Sequence, residues 1–191
     1  MKIVAILGSP RKSGNSARVA ERFCETAKNL GAEIQTFMLN QLMYRGCQAC
    51  YACKTKSDTC IVVDDLTLVL EAVRKADVVV LATPTYYGDI SGQLKLFIDR
   101  TFSYLTPEFR TSSNKCRLAP GKTMVFIQTQ GNSDSKVFAE VFPRYTSILQ
   151  YYQFKPTYLI RGCGLMTPKD LEAQPEILKQ AEEIARKILE P

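Results

Sequence analysis

Short apolar runs along the chain predict five β-strands. Four of the runs are continuous and rich in β-branched residues, which is typical of strands buried on both faces of a sheet. They are Ile3–Leu7, Val78–Ala82, Met124–Gln128 and Thr157–Ile160. A fifth run, Glu33–Leu39, alternates between apolar and polar positions and favours a strand at the edge of the sheet.

Between these runs, apolar residues recur at helical spacing and predict five amphipathic helices. Their apolar stripes lie within residues 19–30, 66–73, 94–101, 137–149 and 177–188. We expect Gly31 to end the first helix and Asp64 or Asp65 to cap the second. Ser133 is the expected entry to the fourth helix, whose stripe starts at Val137.

The regular alternation of strands and helices predicts an α/β fold with a parallel sheet and helices on both faces. A length of 191 residues is typical of one domain, so residues 1–191 are predicted to form a single unit. Two long connections, residues 40–63 and 105–121, interrupt the alternation, and long loops in such domains usually have a function. We call residues 40–63 the cysteine-rich loop, because they hold four of the seven cysteines.

The composition excludes several kinds of catalysis. The chain has seven cysteines, no histidine and no tryptophan. Without an imidazole there is no Ser-His-Asp or Cys-His nucleophile, no zinc-protease motif and no histidine-ligated haem. Chemistry must therefore come from carboxylates, lysine, tyrosine, thiolates or a bound cofactor.

Charge and hydropathy narrow the choice of partners. The net charge of +6 is spread along the chain, which indicates an anionic small ligand or a redox partner and not a nucleic acid. No apolar segment reaches the roughly 18 residues of a membrane span. We expect a cytoplasmic protein with reduced thiols, whose clustered cysteines bind metal or take part in redox chemistry.

The loop after the first predicted strand has the chemistry of a phosphate site. Hydroxyl, amide and guanidinium groups gather at the start of a helix, where free backbone N–H groups and the helix dipole favour an anion. The side chains concerned are Ser9, Arg11, Ser13, Asn15 and Ser16. The alternative is a polar loop that only caps the helix, but its position after strand one favours phosphate binding.

Two further loops are expected beside the phosphate loop, because ligands of open α/β sheets lie outside the carboxyl ends of the strands. The first, residues 83–92, offers the flat rings of Tyr86 and Tyr87, and the second, residues 129–132, offers a hydroxyl, amides and a glycine. One ligand with a phosphate tail and a planar polar head would use all three loops. The alternative for the two tyrosines is packing at the entry to the next helix.

Four cysteines form a compact motif in the cysteine-rich loop. Cys47, Cys50, Cys53 and Cys60 have the spacing C-x2-C-x2-C-x6-C, which allows thiolates to converge on one iron–sulfur centre. Zinc, a redox disulfide or free thiols, and a motif that holds no cluster are the alternatives. Of the remaining cysteines, Cys24 lies on an apolar helix stripe and is expected in the core, whereas Cys116 and Cys163 receive no role.

The segments GSPRKSGNS and TPTYYGDISGQLKLFIDR together resemble the NADPH-dependent FMN reductase family of flavodoxin-like proteins. With the cysteine motif, the chain is similar to the iron–sulfur flavoproteins of that family, over a region from Met1 to about Gly131. The resemblance implies a three-layer sandwich whose five parallel strands have the order 2-1-3-4-5. It also implies bound FMN, a 4Fe-4S cluster, and a homodimer or homotetramer.

The resemblance further implies which residues bind each cofactor. The serine, arginine and asparagine side chains of the phosphate loop named above would hold the FMN phosphate. The isoalloxazine ring would lie between two sets of residues, Pro84, Thr85, Tyr86, Tyr87 and Gly88 on one side and Thr129, Gln130 and Gly131 on the other. All four cysteines of the motif would ligate the cluster.

Three functions are compatible with these features. The first is an electron-transfer flavoprotein in which FMN and a 4Fe-4S cluster exchange electrons with an external carrier such as ferredoxin. The second is a cluster-free NAD(P)H-dependent reductase of flavins, quinones or related acceptors. The third, a zinc-stabilised binding module without redox activity, agrees less well with the chemistry of the loops.

Overall fold

The computed structural model describes residues 1–190, along which strands and helices alternate. The strands are β1 (Lys2–Leu7), β2 (Glu33–Met38), β3 (Val78–Tyr86), β4 (Asp89–Ile90), β5 (Thr123–Thr129) and β6 (Thr157–Gly162). The helices are α1 (Asn15–Asn29), α2 (Ala52–Thr55), α3 (Leu66–Lys75), α4 (Gly92–Arg100), α5 (Val141–Leu149), α6 (Pro168–Glu172) and α7 (Pro175–Leu189). Single 3-10 turns lie at Leu39–Gln41, Thr101–Tyr104 and Gln150–Tyr152.

Five parallel strands form the central sheet in the order β2-β1-β3-β5-β6. This is the predicted 2-1-3-4-5 arrangement, because the short β4 pairs only with β3 and merely shifts the numbering. The edge position of β2 agrees with its alternating pattern, and Ile3 of β1 lies opposite Ile34 on one side and Val78 on the other. The flavodoxin-like α/β fold is confirmed.

Helices cover both faces of the sheet and bury two separate apolar clusters. On one face α1 and α7 pack against side chains such as Ile3 and Ile127. On the other face α3, α4 and α5 surround Phe126 and Leu81. The long helices bury most of the stripe that their sequence period predicts, as Phe23 in α1 illustrates. Within residues 1–190, no helix has the length and apolar character that a bilayer crossing requires.

Strand β3 is longer than its apolar run predicts. It continues past Ala82 to Tyr86, because its tail pairs with β5 on one side and turns back into β4. Tyr87 and Gly88 form the turn, with φ angles of 50° and 78°. Two successive residues with positive φ are the geometry of a tight hairpin. We call residues 83–91 the β3–β4 hairpin.

The fourth helix begins later than its apolar stripe predicts. α5 starts at Val141, so Ser133 and Val137 lie in the preceding loop. Phe138 has a φ of 63°, which a right-handed helix does not admit. The Gln130 side-chain amide nitrogen also lies 3.0–3.1 Å from three carbonyl oxygens of this loop, among which it shares its two protons. Such side-chain bonds give the backbone an alternative to helix formation.

Candidate functional site

Three loops meet where β1, β3 and β5 end, as the sequence predicts. The backbone N–H of Gly8, after β1, donates to the carbonyl oxygen of Ala82 in β3 at 2.8 Å. Ser91 joins the same two loops, because its hydroxyl donates to the carbonyl of Gly8 at 2.7 Å and its N–H donates to the Thr83 hydroxyl at 2.9 Å. The predicted phosphate loop and the β3–β4 hairpin therefore form one hydrogen-bonded unit.

The phosphate loop, residues 8–16, is shaped by two glycines and a buried serine. Ser9 is buried, and its Oγ accepts a hydrogen bond from the N–H of Arg11 at 3.2 Å. A Cβ added to Gly14 would lie 2.5 Å from that same Oγ, so only glycine fits there. The loop then passes into α1, whose first turn is not capped by any side chain. Backbone N–H groups of that turn are thus available to an anion.

Ser16, in the first turn of α1, has the clearest unmet hydrogen-bonding requirement. Its side chain is 1% exposed, and its Oγ has no partner among the described residues. Leaving a buried hydroxyl unpaired costs about 1–3 kcal/mol. A phosphate oxygen at the start of α1 would accept its proton, so this atom fits a phosphate-bearing ligand.

The other predicted phosphate ligands occupy different positions. Arg11 and Ser13 are exposed at the rim of the loop. The side-chain amide of Asn15 faces the segment after β6, where it donates to the carbonyls of Leu165 and Thr167 at 3.2 and 3.1 Å. Its amide protons are therefore already engaged within the protein.

The predicted ring-binding residues of the β3–β4 hairpin project from the same edge of the sheet. Pro84 and Thr85 are half-buried, whereas Tyr86 and Tyr87 are exposed. Tyr87 is fully exposed although its φ is positive, a conformation that costs a bulky residue about 1–2 kcal/mol. Strain of this kind is often found at ligand sites.

Asp89 anchors the hairpin to α5. Its carboxylate accepts a hydrogen bond from the Tyr145 hydroxyl at 2.8 Å and forms an ion pair with Arg144 at 3.1 Å. Burial, followed by the hydrogen bond to Asp89, raises the pKa of Tyr145, so this phenol remains a donor. The ring of Phe138 also lies against Gly88, 3.3 Å from where a Cβ would be.

The third loop, after β5, is fixed from within. Thr129 and Gln130 are buried, and the Gln130 side chain both holds its own loop and accepts a hydrogen bond from Arg161 at 2.7 Å. Met166 covers Gly131, since its Sδ occupies the space that an added Cβ would need. Sequence patterns did not single out Arg161 or Met166, because their importance arises from contacts with residues far away in the chain.

All four cysteines of the motif border one cavity of about 580 Å³. The cavity lies between the cysteine-rich loop, α4 and the end of α5, with Phe102 and Tyr151 among its aromatic walls. Cys47 and Cys50 are exposed, Cys53 and Cys60 are half-buried, and all four are free thiols. The four thiols therefore share one cavity.

The thiols do not converge on a single ion. Among residues 1–190, no three Cys, Asp or Glu side chains are placed to hold one metal. A mononuclear zinc site, in which four sulfurs lie about 2.3 Å from one ion, is thus not assembled by the described residues. The donor set itself, four thiols around one cavity, has the chemistry that a multi-iron cluster requires.

Three cationic side chains support the cysteine-rich loop. Lys54 donates to the carbonyls of Phe102 and Leu105 at 2.6 and 2.8 Å, and burial lowers its pKa. Arg117 donates to the carbonyl of Cys53 at 3.0 Å. The third is Arg100, at the end of α4, whose Nε donates to the sulfur of Cys60 at 3.1 Å. Each of the three cations thus fixes a part of the loop or of its surroundings.

Asp64 follows the motif and forms an ion pair with Arg100 at 2.8 Å. Burial is the largest single influence on the pKa of Asp64, and by itself it would raise that pKa. Hydrogen bonds from Arg100 and from the N–H groups of Arg45 and Leu66, together with the charge of Arg100, outweigh it. The pKa of Asp64 is therefore below its usual value, and the carboxylate is ionised at neutral pH.

The remaining cysteines lie elsewhere. Cys24 is buried among the apolar residues of α1, as expected of a core residue, and burial raises the pKa of its thiol to about 12. Cys116 is also buried, and burial is the largest cause of its raised pKa. Cys163 is half-buried and has no evident role.

Comparison with known proteins identifies sequence relatives. The profile of the family described as NADPH-dependent FMN reductase matches residues 1–149. An iron-sulfur flavoprotein of Archaeoglobus fulgidus is 36% identical over 104 residues, which are 54% of this chain and 47% of the relative. One of Methanosarcina thermophila is 38% identical over 101 residues, 53% of this chain and 52% of the relative. The chain spans about half the length of these curated relatives.

Solved structures have the same fold at low sequence identity. An FMN-dependent NADH-azoreductase from Bacillus anthracis, solved with FMN, has a TM-score of 0.76 and 16% identity, covering 99% of this chain and 100% of its own. An NAD(P)H:quinone oxidoreductase from Methanothermobacter marburgensis has a TM-score of 0.76 and 17% identity, covering 98% of this chain and 96% of its own. At such identities the likeness concerns the fold alone.

Proposed function

Because the chain belongs to the NADPH-dependent FMN reductase family, and so to the FMN-binding flavoproteins, we propose that it is an FMN-dependent oxidoreductase that transfers electrons. In this proposal FMN exchanges electrons with a 4Fe-4S cluster held by the cysteine-rich loop, and the cluster exchanges them with an external carrier such as ferredoxin. The names of the iron-sulfur flavoprotein relatives support the pairing of the two cofactors.

The uncapped start of α1 with its unpaired Ser16 hydroxyl is the observation on which the flavin site depends. Ser16 and Ser9, together with the backbone N–H groups of the first turn, would hold the FMN phosphate. Arg11 and Ser13 at the rim would supply charge and a further hydroxyl, and Asn15 would contribute its backbone N–H. The isoalloxazine ring would lie beyond the loop, against the hairpin residues 84–88 and against residues 129–131.

When bound, FMN accepts a hydride as a pair of electrons and releases electrons singly, while a 4Fe-4S cluster carries one electron at a time. The residues of this chain would bind and orient these groups. Pro84 and Gly88 fix the backbone of the hairpin beside the ring, and Asp89 holds the hairpin to α5 through Tyr145. Cys47, Cys50, Cys53 and Cys60 would ligate the cluster from the walls of their shared cavity.

We further propose that the chain forms homodimers or homotetramers. Tyr51, Ile61 and Ile148 are exposed apolar side chains, and all three border the cysteine cavity. Burying them against another copy would remove apolar surface from water, which stabilises association. Light scattering on the purified protein at several concentrations tests this, and a monomer throughout would contradict it.

A cluster-free NAD(P)H-dependent reductase is the second candidate. It is favoured by the observation that no three ligating side chains within residues 1–190 converge on one ion. In that case FMN would accept hydride from NAD(P)H and reduce a flavin, a quinone or a related acceptor. The flavin site would be the same, and only the source of electrons would differ.

Anaerobic purification followed by spectroscopy and iron analysis distinguishes the two candidates. The first predicts a flavin spectrum with a broad shoulder, about four irons per chain and equal acid-labile sulfide. Flavin without iron or sulfide would contradict it. Cys60→Ser should lower the iron content, whereas Cys163→Ser, outside the motif, should leave it unchanged. Rapid flavin bleaching on stopped-flow mixing with NADPH supports the second candidate, and reduction that needs ferredoxin supports the first.

A further inference from the structure

Arg100 is fully buried and has the largest volume among the side chains that solvent does not reach. A guanidinium in that position loses its hydration, so its N–H groups need acceptors within the protein. Arg100 has four: the Cys60 sulfur, the carbonyl oxygens of Arg45 and Val62, and the Asp64 carboxylate. Their distances lie between 2.8 and 3.1 Å.

These acceptors flank the cysteine motif on both sides. Arg45 precedes Cys47, the first cysteine, whereas Val62 and Asp64 follow Cys60, the last. One guanidinium therefore joins the two ends of the segment that contains all four thiols. Because the ends are already held together, the loop loses less conformational entropy when it binds a metal.

Arg100 itself is well positioned for this task. It ends α4, whose packing against the sheet buries Leu94 and Phe97, and its side chain emerges from a rigid element. The contact with Cys60 comes from Nε, while both terminal nitrogens reach the loop backbone. A lysine has one nitrogen and no planar fork, so it cannot make these contacts at the same time.

We propose that Arg100 is the positioning residue of the cluster site, which holds Cys60 ready as a ligand and balances the negative charge of the bound cluster through its N–H···S contact. This inference rests on the proposed 4Fe-4S cluster. Partners in the second shell of a metal orient its ligands and tune its properties, and their loss typically lowers metal affinity roughly 10- to 100-fold. A cation beside a thiolate also favours the reduced, more negative state of a cluster.

The test uses the Arg100→Lys and Arg100→Gln variants, with Arg22→Lys as the matched control. Arg22 pairs with Glu182 between α1 and α7, on the opposite face of the sheet. In the anaerobically prepared proteins we expect both Arg100 variants to lose iron to a chelator about 10-fold faster than wild type. We expect a lower midpoint potential of the remaining cluster for Arg100→Gln. The control should match wild type in both measurements, and FMN absorbance reports correct folding.

Asp64→Asn provides a second route if the Arg100 variants do not fold, since it removes the negative charge that faces the guanidinium and keeps a side-chain oxygen that can accept a hydrogen bond. Like the Arg100 variants, it should lose iron to a chelator faster than wild type. Wild-type iron retention and potential in the folded variants would overturn the inference and leave the proposed cluster intact. A wild-type protein that takes up no iron after anaerobic reconstitution would overturn the proposed cluster and this inference together.

Discussion

The hydroxyl of Ser91 donates a 2.7 Å hydrogen bond to the carbonyl oxygen of Gly8. This contact fixes the phosphate loop to the N-terminus of α4, and a Cβ on Gly8 would lie 2.7 Å from the same hydroxyl. The nine residues of α4 then span about 13 Å to Arg100 and Cys60. One helix thus contacts the proposed flavin site at its start and the proposed cluster site at its end.

Ser91→Ala should weaken both the fold and the flavin site. The Ser91 hydroxyl also accepts from the N–H of Leu94 as the cap of α4, so its loss removes a helix cap and leaves a buried carbonyl unpaired. We expect the free energy of unfolding of the FMN-free protein to fall by about 2 kcal/mol. Urea unfolding measures this, and Ser147→Ala on the exposed face of α5 is the control. Equal effects of the two substitutions would contradict the structural role.

Ser16→Ala should weaken ligand binding without lowering the stability of the protein. Since the Ser16 hydroxyl has no partner within the described protein, its removal should leave the FMN-free protein as stable as wild type or more so. Affinity for FMN should fall roughly 10- to 100-fold, because a hydrogen bond to a charged phosphate is lost. Fluorescence titration measures the affinity of the wild type and of the variant for FMN and, separately, for riboflavin. Riboflavin has no phosphate and should bind both proteins equally; an equal loss for both ligands would argue against the phosphate contact.

Gly14→Ala and Gly92→Ala should have opposite effects. An added Cβ at position 14 would lie 2.5 Å from Ser9 Oγ, whereas at position 92 it would meet nothing within 4 Å. We expect Gly14→Ala to lower stability by about 1–3 kcal/mol and to weaken FMN binding. Gly92→Ala should instead raise stability by about 0.4–1 kcal/mol through the unfolded state. Thermal unfolding and FMN titration of the two variants provide the comparison, and a harmless Gly14→Ala would disprove the tight fit.

Tyr87→Asn should stabilise the protein and weaken ligand binding. Asn tolerates the positive φ of this turn position better than tyrosine, so the hairpin should gain about 1 kcal/mol. If the exposed ring lies against the isoalloxazine as proposed, its loss should weaken FMN binding several-fold. Tyr87→Phe, which keeps the ring, should bind FMN as wild type does. Unchanged FMN affinity in Tyr87→Asn would remove Tyr87 from the proposed ring site.

Asp64 should make the stability of the cysteine-rich loop depend on pH. Its pKa in the folded protein is lower than the usual 3.8, so the unfolded chain takes up a proton first as the pH falls. The stabilisation is therefore complete above the unfolded pKa and is lost as the pH falls through the lower folded pKa. Asp64→Asn should lower the free energy of unfolding more at neutral pH than at acidic pH, where the carboxyl group becomes protonated in both states. Urea unfolding of cluster-free protein measures this, and a pH-independent difference would contradict it.

Local patterns in the sequence predicted most of the elements. Continuous apolar runs located four of the parallel strands, since strands buried on both faces need apolar residues throughout, and an alternating run located the edge strand β2. Helical stripes located the long helices in the same way. Two errors have local causes: the tail of β3 pairs with β4, and the left-handed Phe138 delays α5. The spacing of apolar residues along the sequence predicts neither of these backbone conformations.

Within the candidate site, the sequence by itself determined which chemical groups are present and at which ends of strands they lie. Hydroxyls after β1, tyrosines after β3 and four thiols after β2 all follow from the order of residues. Because parallel strands end at one edge, the approach of the loops after β1 and β3 was also predictable, whereas the thiols lie at the other end of α4.

Only the tertiary structure decided how each group is used. It engages the Asn15 amide with Leu165, leaves Ser16 unpaired, joins Ser91 to Gly8, and buries Arg100 against Cys60. The contacts of Asn15, Ser91 and Arg100 join positions separated by 150, 83 and 40 residues. Sequence periodicity reports on neighbours a few residues away, whereas the free energy of a buried hydrogen bond depends on which distant groups the packed fold brings within about 3 Å.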